Sequence, residues 1–315
     1  MHPETATSYS NLAGLADDSG QLEQVEPLHR KALSIRLATL GAAHPDTAMS
    51  YAKLGYWLWS AGQLSEAETC YHKALEIRRT ALGQNNTDTI ASYQDLATVL
   101  TDQDRADLAL PLLQQAVDCA HQLWGTDHTD TADACALLAQ HLEDHAGAEE
   151  AEPLRRKALE IQSSVLEPTD SEVIESQHYL AGNLALQGRW NEALGISKQA
   201  LAICVASLGE DVAITGESYH NVGFILEKID RFDEAAPFFR KALEILQRAH
   251  GHDHQRTARA HGMIAENCYA RVQLDEALSH FEAALSIVAS LGEDHPDVQM
   301  ARESVANCKR AMKGA

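Results

Sequence analysis

Residues 40–48 read LGAAHPDTA, and variants of that phrase return six more times: LGQNNTDTI at 82–90, WGTDHTDTA at 124–132, LEPTDSEVI at 166–174, LGEDVAITG at 208–216, HGHDHQRTA at 250–258 and LGEDHPDVQ at 291–299. The spacing is 42 residues throughout, except for a final step of 41. His2-Pro3 stands in register with His44-Pro45. A chain that repeats at this period builds its core by stacking like units along one axis, so its length of 315 residues does not by itself imply two globular domains.

Two helix-period segments lie between successive loops. In TAMSYAKLGYWLWSAG, Tyr51, Leu54, Gly55 and Leu58 form an i, i+3, i+4, i+7 stripe. LSEAETCYHKALEIRRTAL continues it with Leu64, Ala67, Tyr71, Ala74, Leu75 and Ile77. Gly20, Gly62 and Gly188 mark the turn between the paired segments, and the Asp-Thr that closes each long loop reads as an N-cap for the next helix. Counted from Ala6 or Ala48, position seven holds Leu12, Leu54, Leu96, Leu138, Leu180, Val222 and Ile264. Position eight is always Ala or Gly, position twenty is Val25 and then six alanines, and position twenty-seven is alanine in all seven copies. Fixed small residues let two helices approach closely, while the leucine column fills the seam between units. The sequence therefore predicts an antiparallel helix pair, stacked seven times.

These columns, with HPDTA, LSEAETCYHKALEIRR and FDEAAPFFRKALEI, resemble the tetratricopeptide repeat in a 42-residue form similar to that of kinesin light chains. The resemblance spans residues 3 to about 310. It implies an all-α, right-handed α-solenoid of seven helix-turn-helix units at about 3–44, 45–86, 87–128, 129–170, 171–212, 213–254 and 255–295. A C-terminal capping helix and tail follow over 297–315, with Val305 and Ala306 in the leucine and small columns. The first unit begins abruptly, which leaves open a fragment of a longer protein, or end-to-end self-association through an uncapped first repeat.

Charge narrows the partners. The formal net charge is −21, which argues against nucleic acid or an anionic membrane surface as a ligand. No apolar run approaches a membrane span, and the opening MHPETATSYS has neither the basic nor the apolar region of a signal peptide. The six cysteines show no CxxC pair and no regular spacing, so reduced thiols and a cytoplasmic location are expected.

The resemblance also implies a concave groove lined by positions 2, 5, 6, 9, 12 and 13 of each first helix. In this sequence those columns carry eleven acidic and three basic side chains. Kinesin light chains are known for grooves that accept acidic, tryptophan-containing cargo and carry paired asparagines at positions five and six; here only Asn11 and Asn221 occupy position six. A basic or amphipathic segment suits this lining better, with aromatic side chains for stacking. The expected peptide contacts are Asn11, Lys53, Tyr56, Trp59, Asp95, Asp102, His178, Tyr179, His220, Asn221, Phe224 and Arg259. Trp57 and Trp59 point in nearly opposite directions on a helix, about 200° apart. Trp57 is then core, and Trp59 either covers the neighbouring repeat or grips a ligand.

Sixteen histidines raise the question of metal. His250-Gly-His252-Asp-His254 is dense in ligands, but His254 belongs to a loop column with His2, His44, His128 and His295 that suits packing or capping. His141 and His145 share one helical face with Glu143 between them, yet Leu142 stands where the HExxH motif needs glutamate. His178 and His220, both at position five, are neighbours suited to polar lining, a pH-sensitive contact or a metal pair. No P-loop, Gly-x-Ser-x-Gly or dinucleotide motif appears. The sequence thus predicts a non-enzymatic protein-interaction module, with no cofactor and no catalytic or metal-binding residues. Open alternatives are the regulatory or sensor portion of a larger enzyme or signalling protein, a self-assembling scaffold and a metalloenzyme.

Overall fold

The computed structural model describes residues 2–209 and 212–314. Glu210 and Asp211, within the loop LGEDVAITG, lie outside the described residues, as do Met1 and Ala315. The helices are α1 (Pro3–Asp18), α2 (Leu22–Thr39), α3 (Pro45–Ser60), α4 (Leu64–Ala81), α5 (Thr87–Asp102), α6 (Ala106–Trp124), α7 (Thr129–His145) and α8 (Ala148–Val165). They continue as α9 (Ser171–Leu186), α10 (Trp190–Ile203, running into a π-turn at Cys204–Leu208), α11 (Ala213–Lys228), α12 (Phe232–His250), α13 (Gln255–Ala270), α14 (Leu274–Val288) and α15 (Pro296–Gly314). No strand occurs among the described residues.

The chain divides into two compact units, residues 1–161 and 162–315. In the first, α1 to α7 each pack on the next helix in sequence, and in the second α9 to α15 do the same. Neighbouring first helices also touch, α3 with α5 in one unit and α11 with α9 and α13 in the other. Within each unit this is the stacking pattern of a helical solenoid.

The columns explain the packing. Position twenty is at most 1% exposed from Val25 to Ala277, where the paired helices cross. At position eight, a Cβ built on Gly223 would lie 2.8 Å from the Phe239 ring, so the phenyl takes the space a side chain would need. The leucine column is buried from Leu54 to Ile264, each residue contributing about 1.5–3 kcal/mol. Leu12 is 50% exposed, because α1 has no second helix ahead of it among the described residues. In α15, Val305 is buried but Ala306, in the small column, is exposed, because no paired second helix covers it among the described residues.

The loops correct one expectation. The N-cap is not the Asp-Thr pair but the residue two or three positions earlier. Nδ1 of His44, His128, His254 and His295 accepts the N–H of the second residue beyond it at 3.1–3.2 Å, and Oδ1 of Asn86 does so at 3.0 Å. Asp46, Asp88 and Asp130 then sit in the first turn, where a negative charge faces the positive end of the helix dipole. The threonine hydroxyls reach back across the loop: Thr47, Thr89, Thr131, Thr215 and Thr257 donate to the carbonyls of Gly41, Gly83, Gly125, Gly209 and Gly251 at 2.7–2.8 Å. The histidine column is a set of helix caps.

One packing rule had no visible signal in the sequence. Each second helix meets the next first helix through a residue pair fourteen positions apart. Arg36 donates to Ser50 at 2.8 Å, Arg78 to Ser92 at 2.7 Å, and Ser176 to Gln162 at 2.5 Å. Cys204 Sγ lies 3.3 Å from Ser218 Oγ. Where the second helix offers Ala120 or Leu246, the serine is replaced by Ala134 or Ala260. At this pair of positions a buried hydroxyl appears only where a polar or thiol partner meets it, in keeping with the cost of an unmade buried hydrogen bond.

Candidate functional site

In the first unit, the groove columns of α3 and α5 form one connected group. Tyr56 is 59% exposed, and its ring centroid lies 5.8 Å from that of Trp59. The Trp59 indole N–H donates to Asp102 at 2.5 Å, so this ring spans to the next first helix. Trp57 is half-buried and packs against the cluster of Ala13, Ala16 and Val25 as well as the main core of the unit. Burial pushes the Asp95 carboxyl up to about 6, against the opposing pull of Arg78. Lys53 and Asn11 are exposed.

In the second unit, five expected residues converge. His178, Tyr179, His220, Asn221 and Arg259, from α9, α11 and α13, line one cavity of about 420 Å³ with Glu175, Glu217, Arg256, Leu246 and Ala260. His178 Nε2 lies 2.9 Å from Ser218 Oγ, and the His220 ring centroid is 6.1 Å from that of Phe239. Burial lowers both imidazoles to about 4, aided at His220 by the Arg259 charge. Both rings are therefore neutral walls of the cavity at neutral pH. Phe224 stands outside this lining, with Lys228 Nζ 5.1 Å from its ring centroid. Arg256, which the column positions did not single out, pairs with Glu217.

Four of the acidic groove side chains have side-chain partners, and two of those partners are cationic. Asp102 accepts the Trp59 indole, Glu143 is bound by Arg155, Asp144 accepts the Gln140 amide and Glu217 is paired with Arg256. Burial raises the Glu227 and Glu266 carboxyls. Asp102, Glu143 and Glu217 thus each join one helix to another, whereas Asp144 is bonded within α7.

The histidine motifs resolve into structural contacts. His141 Nε2 is 3.1 Å from the Ala106 carbonyl and Nδ1 is 3.3 Å from Thr101 Oγ1, while Glu143 is taken by Arg155. His254 caps α13 and stacks on His250 at 4.5 Å between centroids. Among the described residues, no three His, Cys, Asp or Glu side chains are grouped so as to hold a metal ion.

Paired helices at a 42-residue period, with small residues where each pair crosses and first helices sharing a lined face, define a helical-repeat protein. The sequence model of the tetratricopeptide repeat matches overlapping segments at 4–80, 46–122, 88–164, 133–205, 172–247 and 214–290. The chain belongs to the tetratricopeptide repeat family. No curated protein matches it. Among solved structures it is similar to the nearly identical kinesin light chain TPR-like repeats of Podosopora anserina, at 24% identity and a TM-score of 0.60, covering 66% of this chain and 98% of that one. It is also similar to BtubC (BKLC) from P. vanneervenii, at 20% identity and 0.63, covering 74% and 94%. A third likeness is to the apo form of RapI, at 14% and 0.68, covering 98% and 87%. At these identities the likeness shows the fold.

Proposed function

We propose that this chain is a non-enzymatic interaction module whose first helices bind a basic or amphipathic segment of a partner protein. One observation carries the reading. Tyr56, Tyr179 and Tyr269 are the exposed large aromatic residues among the described residues, and all three occupy groove columns of first helices. Exposed aromatic rings on a rigid helix face supply contact area at low entropic cost to the protein, leaving most of the ordering to the partner. Glu175, exposed beside Tyr179, adds a carboxylate for a cationic side chain. All six cysteines are free, buried thiols, which suits a reducing cytoplasmic setting.

Selection of a random peptide library on the immobilised protein tests this. Enriched sequences should carry Lys or Arg beside apolar residues, and should bind the variant Tyr179→Ala with Asn221→Ala at least tenfold more weakly. Enrichment of sequences that bind this variant as well as wild type would remove the groove from the account.

A second reading, end-to-end self-association, is favoured by Leu12 and Leu15, which are 50% and 64% exposed on α1. Light scattering that shows a constant monomer mass across concentrations would eliminate it.

A further inference from the structure

A histidine pair stands in the second unit, outside the groove columns. His261 on α13 and His280 on α14 approach with Nδ1 to Nδ1 at 2.8 Å and ring centroids 5.0 Å apart. In the preceding repeat the same two positions are Tyr219 and Phe238, whose ring centroids lie 6.1 Å apart. Earlier repeats hold Tyr, Cys or Gln at the first position and Leu, Cys or Ile at the second. Histidine occupies either position only in the seventh repeat.

Two imidazoles facing each other through Nδ1 need a proton or a cation between them, because two lone pairs repel. As the Gln247 amide lies, it donates to His261 Nε2 at 3.3 Å, and His261 Nδ1–H then donates to His280 Nδ1. Turning that amide over presents its oxygen, holds the His261 proton on Nε2 and aims both Nδ1 lone pairs into one gap. The spacing suits an ion. Two imidazole nitrogens about 2.0–2.1 Å from one metal stand about 2.9 Å apart at a right angle, and about 3.4 Å apart at a tetrahedral one.

The electrostatics permit it. Burial lowers His261 to about 4, aided by His280 and His252, and burial also lowers His280, so both rings keep a free lone pair at neutral pH. The charges that act on His280 are Arg240 on α12 and Glu276 on α14, which pair with each other at 2.8 Å. Both rings are half-buried, so water reaches the pair.

We propose that His261 and His280 form a two-nitrogen chelate for Cu(II) or Ni(II), the ions that favour right-angled ligand pairs, with water in the remaining positions. Two protein ligands rather than three make this an open, exchangeable site that ties α13 to α14. It is independent of the peptide groove.

Calorimetric titration of the full chain with Ni(II), Cu(II) and Zn(II), in a non-coordinating buffer at neutral pH, tests the assignment. Ni(II) should bind at one equivalent in the micromolar range, Cu(II) at least tenfold more tightly, and Zn(II) more weakly than Cu(II). His280→Phe installs the residue of the preceding repeat, and should keep helix content while losing at least tenfold in Ni(II) affinity. His261→Tyr should do the same, and His252→Asn should bind as wild type does. Ni(II) should also raise the unfolding midpoint of wild type but not of His280→Phe. Undetectable Ni(II) binding at millimolar concentration, or equal binding by folded His280→Phe or His261→Tyr, would overturn the site. An equal loss in His252→Asn and His280→Phe would move the ion to the α12–α13 loop and overturn the chelate. Zn(II) binding more tightly than Cu(II) would overturn the right-angled geometry.

Discussion

The indole N–H of Trp59 in α3 donates to the carboxylate of Asp102 at the end of α5, at 2.5 Å across 43 residues of sequence. Both side chains stand in groove columns, and here they hold two first helices together. A hydrogen bond to a charged group at a partly exposed site contributes about 1 kcal/mol. A double-mutant cycle of Trp59→Phe and Asp102→Asn, followed by urea unfolding, should give a coupling of that size. Strictly additive losses would mean that the two residues act separately.

The Glu143–Arg155 pair is the inverse case, with Nη2 to Oε2 at 2.6 Å and Nε to Oε1 at 3.0 Å, and side chains 8% and 4% exposed. Removing Glu143 leaves a buried guanidinium without its counter-charge, so Glu143→Ala should cost roughly 3–5 kcal/mol. Adding Arg155→Met should recover most of that loss in chemical denaturation. A double variant no more stable than Glu143→Ala would contradict this account of the pair.

Stability should fall on acidification through the histidines of the second unit. His178, His220 and His261 are held near 4 by burial, against an ordinary value of 6.5. Between those values the unfolded chain binds protons that the folded chain refuses. The stability these groups contribute is thus present above 6.5 and lost progressively as pH falls towards 4. Denaturation midpoints measured from pH 7 to pH 4 should decline, and His178→Gln should flatten the decline. An identical slope for that variant would show that His178 is not among its sources.

Much of the framework was legible because it depends on volume alone. Ala67, Ala109 and Ala235 mark helix crossings in the sequence, and each is fully buried. The N-cap was misread because a loop string does not show which residue adopts the extended conformation; His44 does, and Asp46 and Thr47 follow it inside the helix. In the groove, column positions cover seven of the cavity-lining residues, five of them expected contacts, but could not show that Glu217 and Arg256 neutralise each other. Counting acids treats every carboxylate as free, whereas Asp102 and Glu143 are bound to partners 43 and 12 residues away.

Val272 occupies the turn position of Gly20, Gly62 and Gly188 with φ of 60°. A β-branched residue is strained there, by about 1–2 kcal/mol. It is 74% exposed, so its side chain contributes little burial in return. Val272→Gly should raise stability by about 1 kcal/mol in thermal or urea unfolding, and a loss of stability would show that the valine side chain outweighs its backbone strain.

The groove claim is tested most directly by photo-crosslinking a library-selected peptide to the intact chain and mapping the attachment sites by mass spectrometry. Attachment is expected on first helices, at or beside Tyr179, Asn221 and Arg259 in the cavity of α9, α11 and α13. Attachment confined to the second helices α10, α12 and α14 would contradict it.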